Sequence, residues 1–171
     1  WSQASDGFRA FVDATGIPFY TTPQGRGVIP EDHDHFFALS RSAAFREADL
    51  VIVAGTRLNY VFSYGEPPRF SDKARFIRID IDPAEIDASL GVELGIVGDV
   101  GVVLDQIRAK ASQALPQRFA AWRDRLAEED RRKLPKHEES LANDQVPIHP
   151  LPLCKEVRDF IDPDTILCLD G

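Results

Sequence analysis

The 171-residue sequence has no methionine, only two cysteines and no long hydrophobic run. A membrane-spanning helix needs about 18 or more apolar residues in succession, so we expect no membrane span. Cys154 and Cys168 are too few for a disulfide framework, which indicates reduced thiols in a cytoplasmic protein. We expect both thiols in the core rather than in a nucleophilic role. The start at Trp1, with no methionine and no basic and apolar leader, indicates no signal peptide and a chain that begins inside a longer or processed product.

An excess of basic residues is also absent. The chain has 20 Lys and Arg against 28 Asp and Glu, and its formal net charge is -8. Binding to nucleic acid depends on counterion release at a basic surface, so we expect no nucleic-acid partner. The hydrophobic fraction of 43% is that of an ordinary globular protein, which excludes a disordered chain.

What is present is an alternation of helical and strand patterns. A helix should end at Gly16. The continuous apolar run at 50–54 is typical of a parallel strand buried on both faces. The alternation of isoleucine with more polar residues over 75–81 favours a strand nearer an edge. The other predicted elements are strands at 17–21 and 95–97 and helices over 36–47 and 99–114. Together they predict an α/β fold with a doubly wound parallel sheet.

The later part of the chain differs in composition. Residues 117–139 are dense in charge, and Phe119, Trp122 and Leu126 form a narrow apolar stripe on the predicted helix. A polar segment with proline follows, then a helix over 151–161 and a strand at 165–169. We therefore divide the chain into a nucleotide-binding domain at 1–114, a linker helix and loop at 115–147, and the start of a second α/β domain at 148–171.

Three predicted strands end in polar residues, at Arg57, at Asp80 and Asp82, and at Asp99. Ligands bind at the carboxyl ends of strands in such folds. An arginine binds a diphosphate, and a carboxylate accepts hydrogen bonds from ribose hydroxyls, so the pattern indicates an adenine nucleotide. The alternative is that Asp82 and Asp99 serve only as helix N-caps.

Other candidates are weaker. Gly25-Arg26-Gly27 lacks the third glycine of a dinucleotide fingerprint, and no serine has a nucleophile-elbow context. His33 and His35 do not form a ligand set for zinc, and we expect no metal ligand in the chain. Tyr60, Phe62 and Tyr64 occupy every second position, and they either line a ligand cleft or pack against neighbouring side chains.

The motifs also follow one another in a distinctive order along the chain. It runs Gly16-Ile17-Pro18-Phe19-Tyr20-Thr21-Thr22, Gly25-Arg26-Gly27-Val28-Ile29-Pro30, Ala48-Asp49-Leu50-Val51-Ile52-Val53-Ala54-Gly55-Thr56-Arg57, Ile79-Asp80-Ile81-Asp82-Pro83-Ala84-Glu85-Ile86 and Gly98-Asp99. This resembles the central domain of thiamine-diphosphate-dependent enzymes of the acetolactate synthase superfamily. The segments 57–60 and 65–70 look most like its acyl-CoA branch, which holds 2-hydroxyacyl-CoA lyases and oxalyl-CoA decarboxylases. Pro67-Pro68-Arg69-Phe70 favours the lyase.

The resemblance implies a larger polypeptide with a pyrimidine-binding and a diphosphate-binding domain, thiamine diphosphate and Mg²⁺. The catalytic residues would lie outside this chain, and Asp170 and Gly171 would approach the cofactor diphosphate. In the acyl-CoA branch the central domain binds ADP as an activator. Carried over by position, the ADP contacts would be Arg57, Asp80, Ile81, Asp99 and Val100.

The resemblance also implies a homodimer or homotetramer that cleaves a 2-hydroxyacyl-CoA to formyl-CoA and an aldehyde or ketone. The alternatives are an oxalyl-CoA decarboxylase, an enzyme similar to acetolactate synthase, in which the same groove holds FAD, and a flavin-binding electron-transfer module. The central sheet of the family begins with a strand that precedes Trp1. We therefore expect this chain to be part of a longer polypeptide, with a gap in its sheet and unpaired backbone there.

Overall fold

The computed structural model describes residues 3–87, 91–162 and 164–168. The chain divides into two compact units, Trp1–Asp130 and Arg131–Gly171. The helices are α1 (Ser5–Thr15), α2 (Arg41–Glu47), α3 (Pro83–Asp87), α4 (Val100–Lys110), α5 (Leu115–Arg118), α6 (Ala120–Leu141) and α7 (Pro150–Phe160). The strands are β1 (Leu50–Ala54), β2 (Arg75–Asp80) and β3 (Val92–Val97).

The three strands form one parallel sheet in the order β1-β2-β3. The register pairs Val53 with Arg78 and Asp80 with Val97. The α/β class with a parallel sheet is thus confirmed. Two details were wrong. β2 is the central strand of this sheet rather than near an edge, and β1 packs on both faces but is only partly buried, since Val53 is buried whereas Leu50 is 41% exposed.

The sheet has an apolar layer on each face. Isoleucines of the three strands pack with α1 and α4 in one cluster, which includes Phe11, Ile79 and Leu104. Val53 and Phe76 belong to a second cluster on the other face. Because both faces are covered, the charged side chain of Arg78 is buried as well, with 1% exposure.

The predicted strand at 17–21 does not form. Phe19 makes only an isolated parallel bridge with Phe36. This segment and β1 line an apolar cleft of about 570 Å³. Among the described strands, β1 pairs only with β2, so its other edge has no ladder partner. The helix expected from residue 36 begins only at Arg41, because the preceding residues are in turns.

The end of α1 is fixed as predicted. Gly16 has a left-handed φ of 70°, and its N–H donates to the carbonyl of Val12. Glycine adopts this conformation without steric cost, so it ends the helix. The predicted stripe is found in part. Leu126 on α6 is fully buried and packs with Trp122, whereas Phe119 precedes α6 as the C-cap of α5.

In the second unit, His149 caps α7 by accepting the N–H of Leu151. Cys154 and Cys168 are free but exposed, so the prediction that both lie in the core was wrong. Residues 165–168 do not form the predicted strand, and Leu169 lies outside the described residues. None of the helices in the described ranges is both long and apolar enough to cross a membrane.

Candidate functional site

The carboxyl ends of the three strands lie side by side at one edge of the sheet. The N–H of Gly55, just after β1, donates to the carbonyl of Ile79 at 2.8 Å. The N–H of Gly98, just after β3, donates to the carbonyl of Asp80 at 2.9 Å. Because hydrogen bonds continue to the strand ends, the segments that follow β1, β2 and β3 begin next to one another.

The start of α4 also reaches the end of β1. A Cβ added to Gly55, whose φ is +62°, would lie 3.2 Å from Cγ2 of Val100. Asp99 caps α4, because its Oδ1 accepts the N–H of Val102 at 3.1 Å. The N-cap interpretation of Asp99 is therefore confirmed, and the other carboxylate oxygen is not used by that hydrogen bond.

Asp80 at the end of β2 and Asp82 in the loop after it accept different backbone hydrogen bonds. Oδ1 of Asp80 accepts the N–H of Asp82 at 3.1 Å, which orients the Asp80 side chain at the end of β2. Oδ1 of Asp82 accepts the N–H of Ala84 at 2.9 Å, so Asp82 serves as the turn residue before α3. Ile81 lies between them with a side chain that is 73% exposed.

Arg57 follows β1 and has a largely exposed side chain. Its Nε lies 2.7 Å from Oε1 of Glu85 on α3, and the exposed fractions of the two side chains are 71% and 22%. An ion pair thus joins the loop after β1 to the helix after β2. The sequence interpretation did not include Glu85.

Arg78 is the second residue that sequence reasoning missed. Its Nη2 donates to the carbonyl of Thr56 at 3.0 Å, and its Nη1 donates to the carbonyl of Glu85. A buried guanidinium must be hydrogen-bonded, and one carbonyl of the loop after β1 and one of α3 accept from its two Nη atoms. The one indication in the sequence that position 78 faces the core is Phe76, because residues two apart in a strand point to the same face of the sheet.

The residues present fit a nucleoside diphosphate by their chemistry. Arg57 offers exposed guanidinium donors for phosphate, and Asp80 offers a carboxylate for hydroxyl groups. Val100 and Asp99 stand at the start of an 11-residue helix, where backbone N–H groups favour anions. The structure brings Arg57, Asp80, Ile81, Asp99 and Val100 to one edge. Asp170 and Gly171 lie outside the described residues.

The remaining candidates do not join this site. Tyr60 and Tyr64 are exposed, whereas Phe62 packs against a hydrophobic cluster. Arg69 donates to the carbonyl of Val61 at 2.7 Å, and Phe70 is buried. The segment 65–70 therefore stabilises the loop to which it belongs. Within the described residues, no group of three or more His, Cys, Asp or Glu could hold a metal ion.

The two histidines stabilise a loop. Nδ1 of His33 accepts the N–H of His35 at 3.0 Å. Nε2 of His33 therefore carries the proton and donates to Oδ1 of Asp13 on α1 at 2.9 Å. The pKa of His35 is lowered from 6.5, first by burial and then by the positive charge of Arg123.

Comparison with known proteins agrees with this fold. Residues 1–107 match the family model described as the thiamine pyrophosphate enzyme, central domain. A 2-hydroxyacyl-CoA lyase of Oryza sativa is 35% identical over 94% of this chain and 28% of the relative. An oxalyl-CoA decarboxylase of Escherichia coli is 30% identical over 94% of this chain and 28% of the relative. The chain thus spans about 28% of the length of these curated relatives.

A solved structure supports the same architecture. An enzyme from Mycobacterium smegmatis, described as thiamin diphosphate-dependent, superposes with a TM-score of 0.53 and 23% identity. The match covers 66% of this chain and 23% of that enzyme, and at this identity it concerns the fold. The family match extends over more than half of the residues and contains all three strands. The chain belongs to the family of thiamine pyrophosphate enzyme central domains.

Proposed function

We propose that this chain is the central part of a thiamine-diphosphate-dependent 2-hydroxyacyl-CoA lyase, which cleaves its substrate to formyl-CoA and an aldehyde or ketone. The supporting observation is the convergence of Arg57, Asp80 and Asp99 at adjoining strand ends, together with the identity to lyases over most of the chain. Thiamine diphosphate, when bound elsewhere in the enzyme, supplies carbanion stabilisation for breaking the carbon–carbon bond. This chain supplies scaffold and a regulatory nucleotide site.

The nucleotide of the proposal is ADP. Arg57 pairs with phosphate, Asp80 accepts from the ribose hydroxyls, and Asp99 and Val100 face the same edge. Ile81 offers an exposed apolar side chain and its backbone beside the adenine. The domain division at 114 and 147 belongs to the same proposal. Asp170 and Gly171, at the start of the diphosphate-binding domain, would approach the cofactor diphosphate, and Mg²⁺ would be held by residues outside this chain.

The cleft beside β1 supports the placement within a longer polypeptide. No other described strand pairs with the outer edge of β1, and the cleft next to it has an apolar lining that includes Phe11 and Trp122. An extended segment of the remaining polypeptide would pair with β1 there and complete the sheet. The two free thiols fit a reducing compartment, and the proposal places the enzyme in the cytoplasm as a homodimer or homotetramer.

The decisive experiment uses the full-length protein. Incubated with thiamine diphosphate, Mg²⁺ and ADP, it should convert a 2-hydroxyacyl-CoA to formyl-CoA and a carbonyl product, with a higher rate when ADP is present. Formyl-CoA and carbon dioxide from oxalyl-CoA, with no turnover of the hydroxyacyl substrate, would instead assign the decarboxylase. The 30% identity to an oxalyl-CoA decarboxylase keeps that second candidate open.

A flavin occupant gives a different result. A purified protein that is yellow and releases FAD would assign the groove to a flavin, as in an enzyme similar to acetolactate synthase or in an electron-transfer module. A colourless protein whose unfolding temperature rises with ADP fits the proposal, since a ligand that binds only the folded state stabilises it.

A further inference from the structure

In the proposed nucleotide site, the guanidinium of Arg57 binds phosphate. In this structure the same guanidinium forms an ion pair with Glu85. Nε of Arg57 and Oε1 of Glu85 are 2.7 Å apart. The arginine side chain is 71% exposed, and the glutamate side chain is 22% exposed. The anion that contacts Arg57 is therefore a side chain of the chain itself.

The backbones on both sides of this pair are held in place. The buried Arg78 donates to the carbonyl of Thr56, the residue before Arg57, and to the carbonyl of Glu85 itself. The distance between the two backbones is thereby set by a third residue, not by the ion pair. Opening the ion pair needs only side-chain rotation, and the loop and α3 can stay where they are.

A diphosphate can replace the Glu85 carboxylate at Arg57 at a small cost in free energy. An ion pair with one largely exposed partner contributes little to stability, because water screens it. A diphosphate carries more negative charge than a carboxylate and accepts two parallel N–H bonds from a guanidinium. If Glu85 stayed beside Arg57, its charge would repel the phosphate groups.

We propose that Glu85 is a built-in competitor of the nucleotide diphosphate for Arg57, displaced when the nucleotide binds. The inference rests on the proposed nucleotide site. Glu85 lowers the affinity of the site for any ligand that needs Arg57, and it leaves ligands without phosphate unaffected. Glu85 is thus a specificity-determining residue that sets the nucleotide concentration at which the site fills.

The test is calorimetric titration of the full-length protein with ADP and with adenosine at low salt. Glu85→Gln removes the charge and keeps the shape of the side chain. We expect it to tighten ADP binding about two- to fivefold, the scale of one exposed ion pair, and to leave adenosine binding unchanged. In an Arg57→Gln background the same substitution should have no effect on ADP.

A matched control exists on the same sheet. Glu93 pairs with Arg75 at 3.3 Å between the starts of β2 and β3, away from the carboxyl ends of the strands. Glu93→Gln also removes one exposed carboxylate, and ADP affinity should not change. Equal tightening by Glu93→Gln and Glu85→Gln would mean that only the net charge matters, and it would overturn the proposal.

The remaining outcomes separate this inference from the site on which it rests. Weaker or unchanged ADP binding in Glu85→Gln, with weaker binding in Arg57→Gln, would refute the competitor role and leave the nucleotide site standing. No ADP binding by the unsubstituted protein, or no effect of either Arg57→Gln or Asp80→Ala, would refute both. Thermal unfolding of each variant shows whether the fold is retained.

Discussion

Nη1 of Arg123 on α6 donates to the carbonyl of Gly16 at 2.7 Å, across 107 positions of sequence. The same atom donates to the carbonyl of Pro116 in α5 at 3.0 Å. One guanidinium therefore satisfies carbonyls at the end of α1 and in the segment before α6. Because a Cβ on Gly16 would lie 2.5 Å from that Nη1, the contact also requires glycine at position 16.

Loss of this arginine should destabilise the protein. We expect Arg123→Gln to lower the free energy of unfolding by about 1–3 kcal/mol, because partly buried carbonyls lose a charged donor. Urea denaturation followed by circular dichroism measures the change. Arg118→Gln is the control, since Arg118 is exposed on α5, and its effect should stay within about 0.5 kcal/mol. Equal effects of the two substitutions would contradict the structural role of Arg123.

A second prediction concerns the contact of α3 with the sheet. A Cβ on Gly95 would overlap with Cγ2 of Ile86, closer than real Cβ contacts. Gly95→Ala should therefore displace α3 and lower stability by about 1–3 kcal/mol. Gly7 lies within α1, and a Cβ added there would meet its nearest atoms, those of Gly101, at 3.7 Å. Gly7→Ala should therefore be neutral or stabilising by up to about 1 kcal/mol.

The same contact allows a double-substitution check. Ile86→Ala removes the methyl group that the new Cβ would meet. If the clash is the cause, adding Gly95→Ala to Ile86→Ala should cost clearly less than Gly95→Ala alone. Thermal unfolding of the four proteins gives the coupling, and strict additivity would show that the destabilisation has another origin.

A third prediction tests the ribose contact of the proposed site. Asp80→Ala should weaken ADP binding by about 1–3 kcal/mol, the scale of a hydrogen bond to a charged group. The readout is the shift of the unfolding temperature by ADP in the full-length protein. Asp72→Ala is the control, because Asp72 is exposed and precedes β2, at the other end of the strand. Unchanged protection by ADP in Asp80→Ala would remove the ribose assignment.

The fourth prediction is a pH dependence due to His35. Burial, with the positive charge of Arg123, lowers the pKa of His35 below the 6.5 of the unfolded chain. The unfolded state then binds more protons, so stability from this group is complete above pH 6.5 and is lost as the pH falls through the folded pKa. Between pH about 7.5 and about 5.5, the fall in unfolding temperature should be smaller in His35→Asn than in the unsubstituted protein.

A fifth prediction concerns the isolated segment 1–171. No other described strand pairs with the outer edge of β1, and an apolar cleft of about 570 Å³ lies beside it, so this segment should unfold without a sharp cooperative transition. Circular dichroism during urea denaturation is the measurement. A cooperative, monomeric transition would count against a missing strand in the cleft.

The elements predicted correctly depend on local patterns. The run at 50–54 is β1, and Gly16 ends α1, because an apolar strand and a left-handed C-cap are both encoded within a few residues. Asp99 was weighed as an N-cap, and it caps α4. The three strand ends that carry the proposed site could be found in the same way, since they follow directly from where strands stop.

The features that sequence reasoning missed depend on distant partners. Residues 17–21 have a strand pattern, but a strand needs a neighbour, and Phe19 finds only Phe36. Arg78 alternates with isoleucines, which favoured an exposed position near an edge. The carbonyls of Thr56 and Glu85 accept from it and make its burial tolerable, and those contacts are set by the tertiary fold.

The burial of Arg78 sets a practical rule for protein engineering at this sheet edge. The solvent-facing side chains that follow the strands can be varied in a library aimed at another nucleotide, while position 78 is held constant. Lysine there could not replace it, because a single ammonium lacks the forked reach of a guanidinium toward two carbonyls. Variants selected for altered ligand preference should therefore accumulate around this arginine and not at it.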